Sequence, residues 1–484
     1  MGPIERNCSF RMFQPEELKQ DKPYTESTGT GIDMWAMFRA CCDGDLRTVR
    51  ELISKDPTLA RCEYAYRKPT YFAVRENQIE IADFLLDHDP YPLAPDFYGS
   101  LLDIASDRGY LAMRQLLESK LAERFDIRPE AEPLAAAIRD YDQANVRSLL
   151  DASPHLLHVA DAKGNQPIHW AVMTRQPDLI VELRWRGADI DAKRIDGARP
   201  IQLTNGDYHY RGWRDVPKDH AVTPRDVLNH LRASGAYCDI CTAAYIGDLD
   251  HVRKLLEDDP SLANRPSEYL SYYACSGTPL RNAAAAGHID IVRLLQEHGA
   301  DPNLPKEGIA PRGHALYCAA ANGHFEIAKL LLKNGAYPNV EVDSSVDTLS
   351  RVISNSDAKI LELLCSYGAS RPVHLLACFN DLQTAAAVFS ANPALADDPD
   401  ALANAAAAGH ELFVRLMLRY QPDLARRVTF PSWSVGANTP ELNELLFEHG
   451  MNPSGENWLG ITPLHEFART GDVDKATVYP ESRC

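Results

Sequence analysis

The chain is 484 residues long, 45% hydrophobic and 24% charged, with 50 Lys and Arg against 68 Asp and Glu and a formal net charge of −18. That balance is the composition of a folded protein, and no apolar run approaches the length of a membrane span. A surplus of negative charge on this scale repels a phosphate backbone over most of the surface, so neither a membrane nor nucleic acid is expected as a partner.

Residues 1–33 are polar and turn-prone and contain no apolar stretch of the secretory-signal kind, so they read as an N-terminal arm or cap. Over 34–484 one pattern recurs. Starts near Trp35, Pro69, Leu101 and Pro133 are weaker copies that often keep only the first helix of small residues and the Leu-Leu pair of the second. Gln166–Asp191 is a cleaner copy, with Q-P-I-H-W-A-V at its opening and R-G-A-D-I-D at its close. Pro200 opens a copy that breaks into an insertion at 205–224, and Cys241 opens the next. The fullest copy, Thr278–Asn303, reads T-P-L-R-N-A-A-A-A-G-H-I-D-I-V-R-L-L-Q-E-H-G-A-D-P-N, and His314–Asn339 follows it closely. Fainter starts lie at Leu349, His374, Leu402, Pro440 and Thr462. A spacing of about 33 residues over about fourteen units is the mark of stacked repeats in place of one globular core.

Each residue of the fullest copy has a physical task. Thr278 is placed to cap a helix through its hydroxyl, and Pro279 occupies the first helical position, where a missing N–H is harmless. Ala283 to Ala286 are small enough for close stacking, and Gly287 supplies the left-handed residue that ends the helix. Ile289, Ile291, Val292, Leu294 and Leu295 then recur at helical spacing, an apolar stripe that one unit cannot bury alone. Gly299 ends this second helix, and Ala300-Asp301-Pro302-Asn303 carries turn chemistry into a projecting loop.

These residues resemble the ankyrin-repeat family: T-P-L at the opening, A-A-x-x-G-H in the middle, and V-x-x-L-L-x-x-G-A-D-x-N at the end. The resemblance implies an all-α, curved solenoid of stacked helix-turn-helix units with finger loops. It also implies a non-enzymatic scaffold that binds another protein on the concave finger surface, without a cofactor. His169, His288, His324, His410 and His465 fall where such units use histidine to hydrogen-bond between neighbouring turns and fingers.

Departures from the unit point to the ligand side, because insertions map to loops on one face. The insertion Asn205–Pro224 brings Asp207, Tyr208, His209, Tyr210, Arg211, Trp213, Arg214, Asp219 and His220 into one loop, a mixture suited to a binding surface or the lining of a pocket. A long finger, Arg265–Gly277, carries Tyr269, Tyr272 and Tyr273, and shorter ones carry Tyr64, Tyr66 and Arg67, and Phe97 and Tyr98. As contact residues the Tyr, Trp and Arg of these fingers offer large area for little rotamer entropy. The alternative is that the tyrosines pack on the next finger and the insertion covers an irregular joint, or that the array is only a spacer. If the chain is an enzyme or binds a small molecule, Asp207, His209, Tyr210, Asp219 and His220 are the candidates for acid–base work, with Glu63, Arg67 or Glu268 from the fingers.

No nucleophile elbow, zinc-protease helix or phosphate loop occurs in the sequence. Cys238 and Cys241 have the spacing of half a zinc site, but no second pair follows, so no metal site is expected. The 11 cysteines are scattered. Several, among them Cys41, Cys318 and Cys378, stand in helix positions suited to Ala or Val, which fits small buried hydrophobes in a reducing, cytoplasmic setting. The unit opening at Thr462 has little chain left for its second helix, so the expectation is that this half-repeat serves as a cap, that the natural chain continues further, or that a partner or self-association through the half-repeat covers it.

Overall fold

In the computed structural model, residues 12–22, 29–65, 67–88, 101–207, 210–212, 214–269, 274–304, 315–339, 341–342, 346–370, 373–428, 440–462, 464–465, 468, 471 and 473 are described. Two compact units divide the chain, Glu17–Gly368 and the pairing of Met1–Glu16 with Ala369–Cys484. Both are mostly helical, as expected. Among the described residues the strands are Glu341–Val342 and Val346–Asp347, a short antiparallel pair. No described helix is long and apolar enough to cross a membrane.

The larger unit is a succession of helix pairs, and Pro279–Ala286 with Ile289–Glu297 is representative. Thr278 Oγ1 accepts from the Arg281 N–H at 3.2 Å, and Gly287 closes the helix at φ 83°. Ala283 and Ala284 are fully buried, which lets the helices Ile240–Ile246, Pro279–Ala286 and Ala315–Ala321 stack in succession. Ile291, Val292 and Leu295 bury the stripe of the second helix. The histidines join adjacent units: His288 Nε2 lies 3.0 Å from the Tyr245 carbonyl and His324 Nε2 3.3 Å from that of Ala285. Those imidazoles occupy the space a side chain would take at Gly247 and Gly287, where a Cβ would lie 2.7 and 2.8 Å from the ring. In the weaker unit at Val373–Cys378, His410 reaches the Cys378 carbonyl in the same way, at 3.3 Å.

At the N-terminal end the first helix is Gly31–Asp43, so it begins inside the segment read from sequence as an arm ending at 33. From Glu17 onward, the described part of that arm packs against this helix. Leu18, in the turn Glu17–Lys19, is fully buried, and the Gly31 and Ile32 amides donate to Lys22 and Gln20 carbonyls.

The smaller unit contains Val373–Cys378, Leu382–Ala391, Pro399–Ala407, Glu411–Tyr420 and Pro440–Glu448 around Phe389, Phe413 and Met417. Pro440 was read as the start of a unit, but its helix is a second helix. It closes through Gly450 N–H to Phe447 O and Met451 N–H to Leu446 O, as Gly299 and Ala300 close Ile289–Glu297. The shared H-G ending, rather than the T-P opening before Pro440, sets the phase. In the same unit the Phe13 amide donates to the Trp458 carbonyl at 2.9 Å, with Met12 buried beside it. The N-terminal segment of this unit thus meets the turn at Trp458. Cys41 and Cys318 are buried as expected, whereas Cys378 is exposed, because it ends its short helix just before the turn.

Candidate functional site

The site builds from the repeats at Gln166 and Pro200, the two fingers that flank them, and the insertion. In the copy at Pro200 the first helix shrinks to a single 3-10 turn, Pro200–Leu203. The second resumes at Pro224–Ala233, where Thr223 and Asp226 form a reciprocal cap. The insertion between them is fastened at several points.

One anchor is a buried ion cluster. Arg194 donates to Asp196 at 2.5 Å, to Asn165 Oδ1 at 2.9 Å, and to Asp207. Asp207 Oδ1 also accepts the Tyr210 amide at 2.8 Å. Charges this deep persist only when paired and fully hydrogen-bonded. A second anchor is aromatic. Tyr210 meets Trp170 edge-on with ring centroids 5.4 Å apart, and its hydroxyl donates to the Asp215 carbonyl at 3.2 Å. Burial, with Tyr141 alongside, pushes the Tyr210 phenol well above its ordinary pKa. Trp170 is pinned in turn by its Nε1–H to Asp161 at 2.6 Å and by the Arg139 guanidinium 4.6 Å above its ring. Further along, Arg175 donates to the Gly212 carbonyl at 2.6 Å, and His220 packs on Tyr141 at 5.7 Å.

This geometry decides the roles of several residues singled out from sequence. Asp207 is an internal counter-ion of Arg194, and so is not disposed as a general base. Tyr210 is half-buried against Trp170, and Asp219 is exposed. His220 takes the Val222 amide on Nδ1. The structure therefore joins Asp207 to Tyr210 and Arg194, and His220 to Tyr141, with the Tyr210 and Tyr141 side chains linking the two groups. Arg211 is half-buried, its amide donating to Asp215 Oδ2 at 2.6 Å.

Among the finger residues, Tyr269 is a correction: it is 1% exposed and lies in the core with Ala192, Ala198 and Ile201, unable to meet a partner. Arg67 is likewise buried, its guanidinium stacked 4.5 Å over Tyr71. Tyr64 is half-buried, bridged to Arg67 through both backbones, with its hydroxyl 3.4 Å from Glu17 Oε2. Tyr66, Tyr98, Tyr208, His209, Trp213, Tyr272 and Tyr273 lie outside the described residues. Cys241 is buried with its thiol 3.2 Å from the Gly277 carbonyl, and burial pushes the Cys238 thiol up to about 12. Among the described residues no cluster of His, Cys, Asp and Glu is placed to hold a metal.

Sequence reasoning missed Tyr237. It is 54% exposed, its amide is held by Asp191 Oδ1 at 2.8 Å, and Arg199 stacks on its ring at 4.8 Å. Beside it Glu268 bridges Lys193 at 2.7 Å and Arg199 at 3.4 Å. The hydrogen bond from Lys193, with the Arg199 charge, holds the Glu268 carboxyl below its ordinary range. The signal was present: G-A-Y-C-D places an aromatic ring where the fullest copy has Asp in G-A-D-P-N.

A family model for ankyrin repeats in three copies matches residues 240–342. A curated relative, the probable E3 ubiquitin-protein ligase XBOS33 of Oryza sativa subsp. japonica, is 42% identical over 76 residues. The match covers 16% of this chain and 14% of that protein, so the chain spans about one seventh of its relative's length. The helix pairs, the glycine-terminated helices and the inter-unit histidines agree with the matched family, and residues 240–342 are ankyrin repeats.

Proposed function

We propose that this protein is a non-enzymatic recognition scaffold whose finger surface around Lys193, Arg199 and Tyr237, with the adjoining insertion, binds another protein. The observation that carries the reading is the anchoring of the insertion. Within this 20-residue departure from the repeat, Asp207 is held by the buried pair with Arg194 and Tyr210 by its contact with Trp170, and long loops without their own regular structure usually serve a function. Next to it stand a rigidly held tyrosine and a stacked arginine, residue types that dominate binding hot spots.

The second reading, an acid–base pocket within 205–224, finds its central carboxylate committed to Arg194. A cross-linking capture with the immobilised full chain separates the two. Tyr237→Ala should leave the thermal melt within a degree or two and abolish retention of the proteins cross-linked to the wild-type chain. Undiminished retention by Tyr237→Ala would remove this surface from the recognition function.

A further inference from the structure

Glu268 is an exposed carboxylate resting on two cations held by other parts of the fold. Its side chain is 66% exposed, against 18% for Arg199. Arg199 is fixed twice over, by Nη1 donating to the Asp191 carbonyl at 3.0 Å and by stacking on Tyr237. Lys193 and Arg199 flank the tight turn in which Arg194 N–H bonds Ala198 O, so their separation is set by backbone. Arg199 is thus preorganised and Lys193 is placed by the turn with its side chain 46% exposed, while the carboxylate is the most exposed and exchangeable member.

We infer that the notch formed by Lys193, Arg199 and Tyr237 receives a carboxylate from an acidic segment of the partner protein, and that Glu268 is the internal occupant which this segment displaces. The inference rests on the recognition-scaffold reading. Exposed ion pairs contribute little to stability, so exchanging one carboxylate for another there costs the fold little. Binding is then governed by contact geometry, and Arg with its planar fork is well suited to a second carboxylate.

Charge supports the same choice of partner. At the notch Glu268 offers one negative charge to the two positive charges of Lys193 and Arg199, so a carboxylate is the group its contacts select. A basic segment would meet Lys193 and Arg199 at the same notch and be repelled. A neutral apolar segment would leave both cations without a carboxylate once Glu268 was displaced.

The test is fluorescence anisotropy with fluorescein-labelled hexaglutamate and hexalysine peptides on the full chain. Wild type should bind hexaglutamate in preference, with affinity falling as salt rises. Glu268→Gln should tighten that binding about threefold or more by emptying the notch, and Lys193→Gln should weaken it by a similar factor. Unaltered circular-dichroism melts keep both variants interpretable. Equal binding of hexalysine, or a Glu268→Gln chain that binds hexaglutamate no tighter than wild type, overturns the inference. If hexaglutamate fails while Tyr237→Ala still abolishes partner capture, the acidic-segment assignment falls and the scaffold reading stands.

Discussion

A Cβ on Gly197 would stand 2.2 Å from the carbonyl oxygen of Glu268. Two fingers that are 71 positions apart in sequence thus touch through backbone at a residue with no side chain, and Gly197 also has φ 80°. Gly197→Ala should combine left-handed strain with a clash against an immovable carbonyl, a loss of about 2–4 kcal/mol. Separation of the fingers should expose Tyr269, now in the core. Hydrogen exchange over 265–269 checks this, and protection equal to wild type would show that the contact accommodates the methyl without the fingers separating.

Asp207 offers a second prediction. Removing its carboxylate leaves Arg194 buried with Asp196 as its remaining anionic contact in the cluster, and breaking a buried pair typically costs about 3–5 kcal/mol. Because stability in a repeat array is local, the loss should fall on the insertion. Asp207→Ala should therefore become susceptible to limited proteolysis within 205–224, at protease levels that leave that loop of the wild-type chain intact. An Asp207→Asn chain should show the same susceptibility more weakly, since the Tyr210 amide keeps an acceptor.

The repeat architecture was legible because its determinants are local. Thr278, Pro279, Gly287 and the Ile-Val-Leu stripe each act within one helix pair, and the structure places each in the role its chemistry implies. The site was only partly legible, because burial in fingers depends on which finger leans on which. Tyr269 looked like an exposed tip, yet the long finger reaches past its neighbour to the finger ending at Ala198, a contact permitted by Gly197. Asp207 looked like a titratable loop residue because its partner, Arg194, lies on the preceding finger. Tyr237 was legible from the substituted G-A-D motif but stood outside any aromatic run.

His169 gives the array a pH response. Burial holds its imidazole down to about 3, while Nδ1 accepts the Gln166 amide and Nε2 donates to the Ala192 carbonyl at 2.9 Å. The unfolded chain takes up the proton near 6.5, the folded one only near 3. Between those values the unfolded state binds more protons, so stability is fully present above about 6.5 and declines as pH falls. Asp161 opposes part of this loss, since burial raises its pKa and the folded state then holds a proton more readily. The net expectation is faster exchange of the Gln166 amide at pH 5 than at pH 7.5, after correction for intrinsic rates. His169→Gln, unable to take a proton, should abolish that difference.

Asn303 ties one unit to the next. Its Oδ1 accepts the Tyr337 amide at 2.8 Å and its Nδ2 donates to the Gly335 carbonyl at 2.9 Å, and Asn264 repeats the arrangement with Asp301 and Gly299. Each Asn thereby satisfies the carbonyl of the left-handed glycine just past the C-cap of the following unit's second helix, where the turn offers it no helical partner. Two hydrogen bonds of this kind are together worth about 1–3 kcal/mol. Asn303→Ala should remove that amount from the coupling between units without altering either unit's own helices. A chain of coupled layers responds to a weakened interface by losing cooperativity there. Urea unfolding followed by hydrogen exchange should accordingly show Phe325–Lys333 opening before Ile289–Glu297 in the variant, with a smaller offset in the wild type; simultaneous opening in both would place the coupling in the apolar stacking alone.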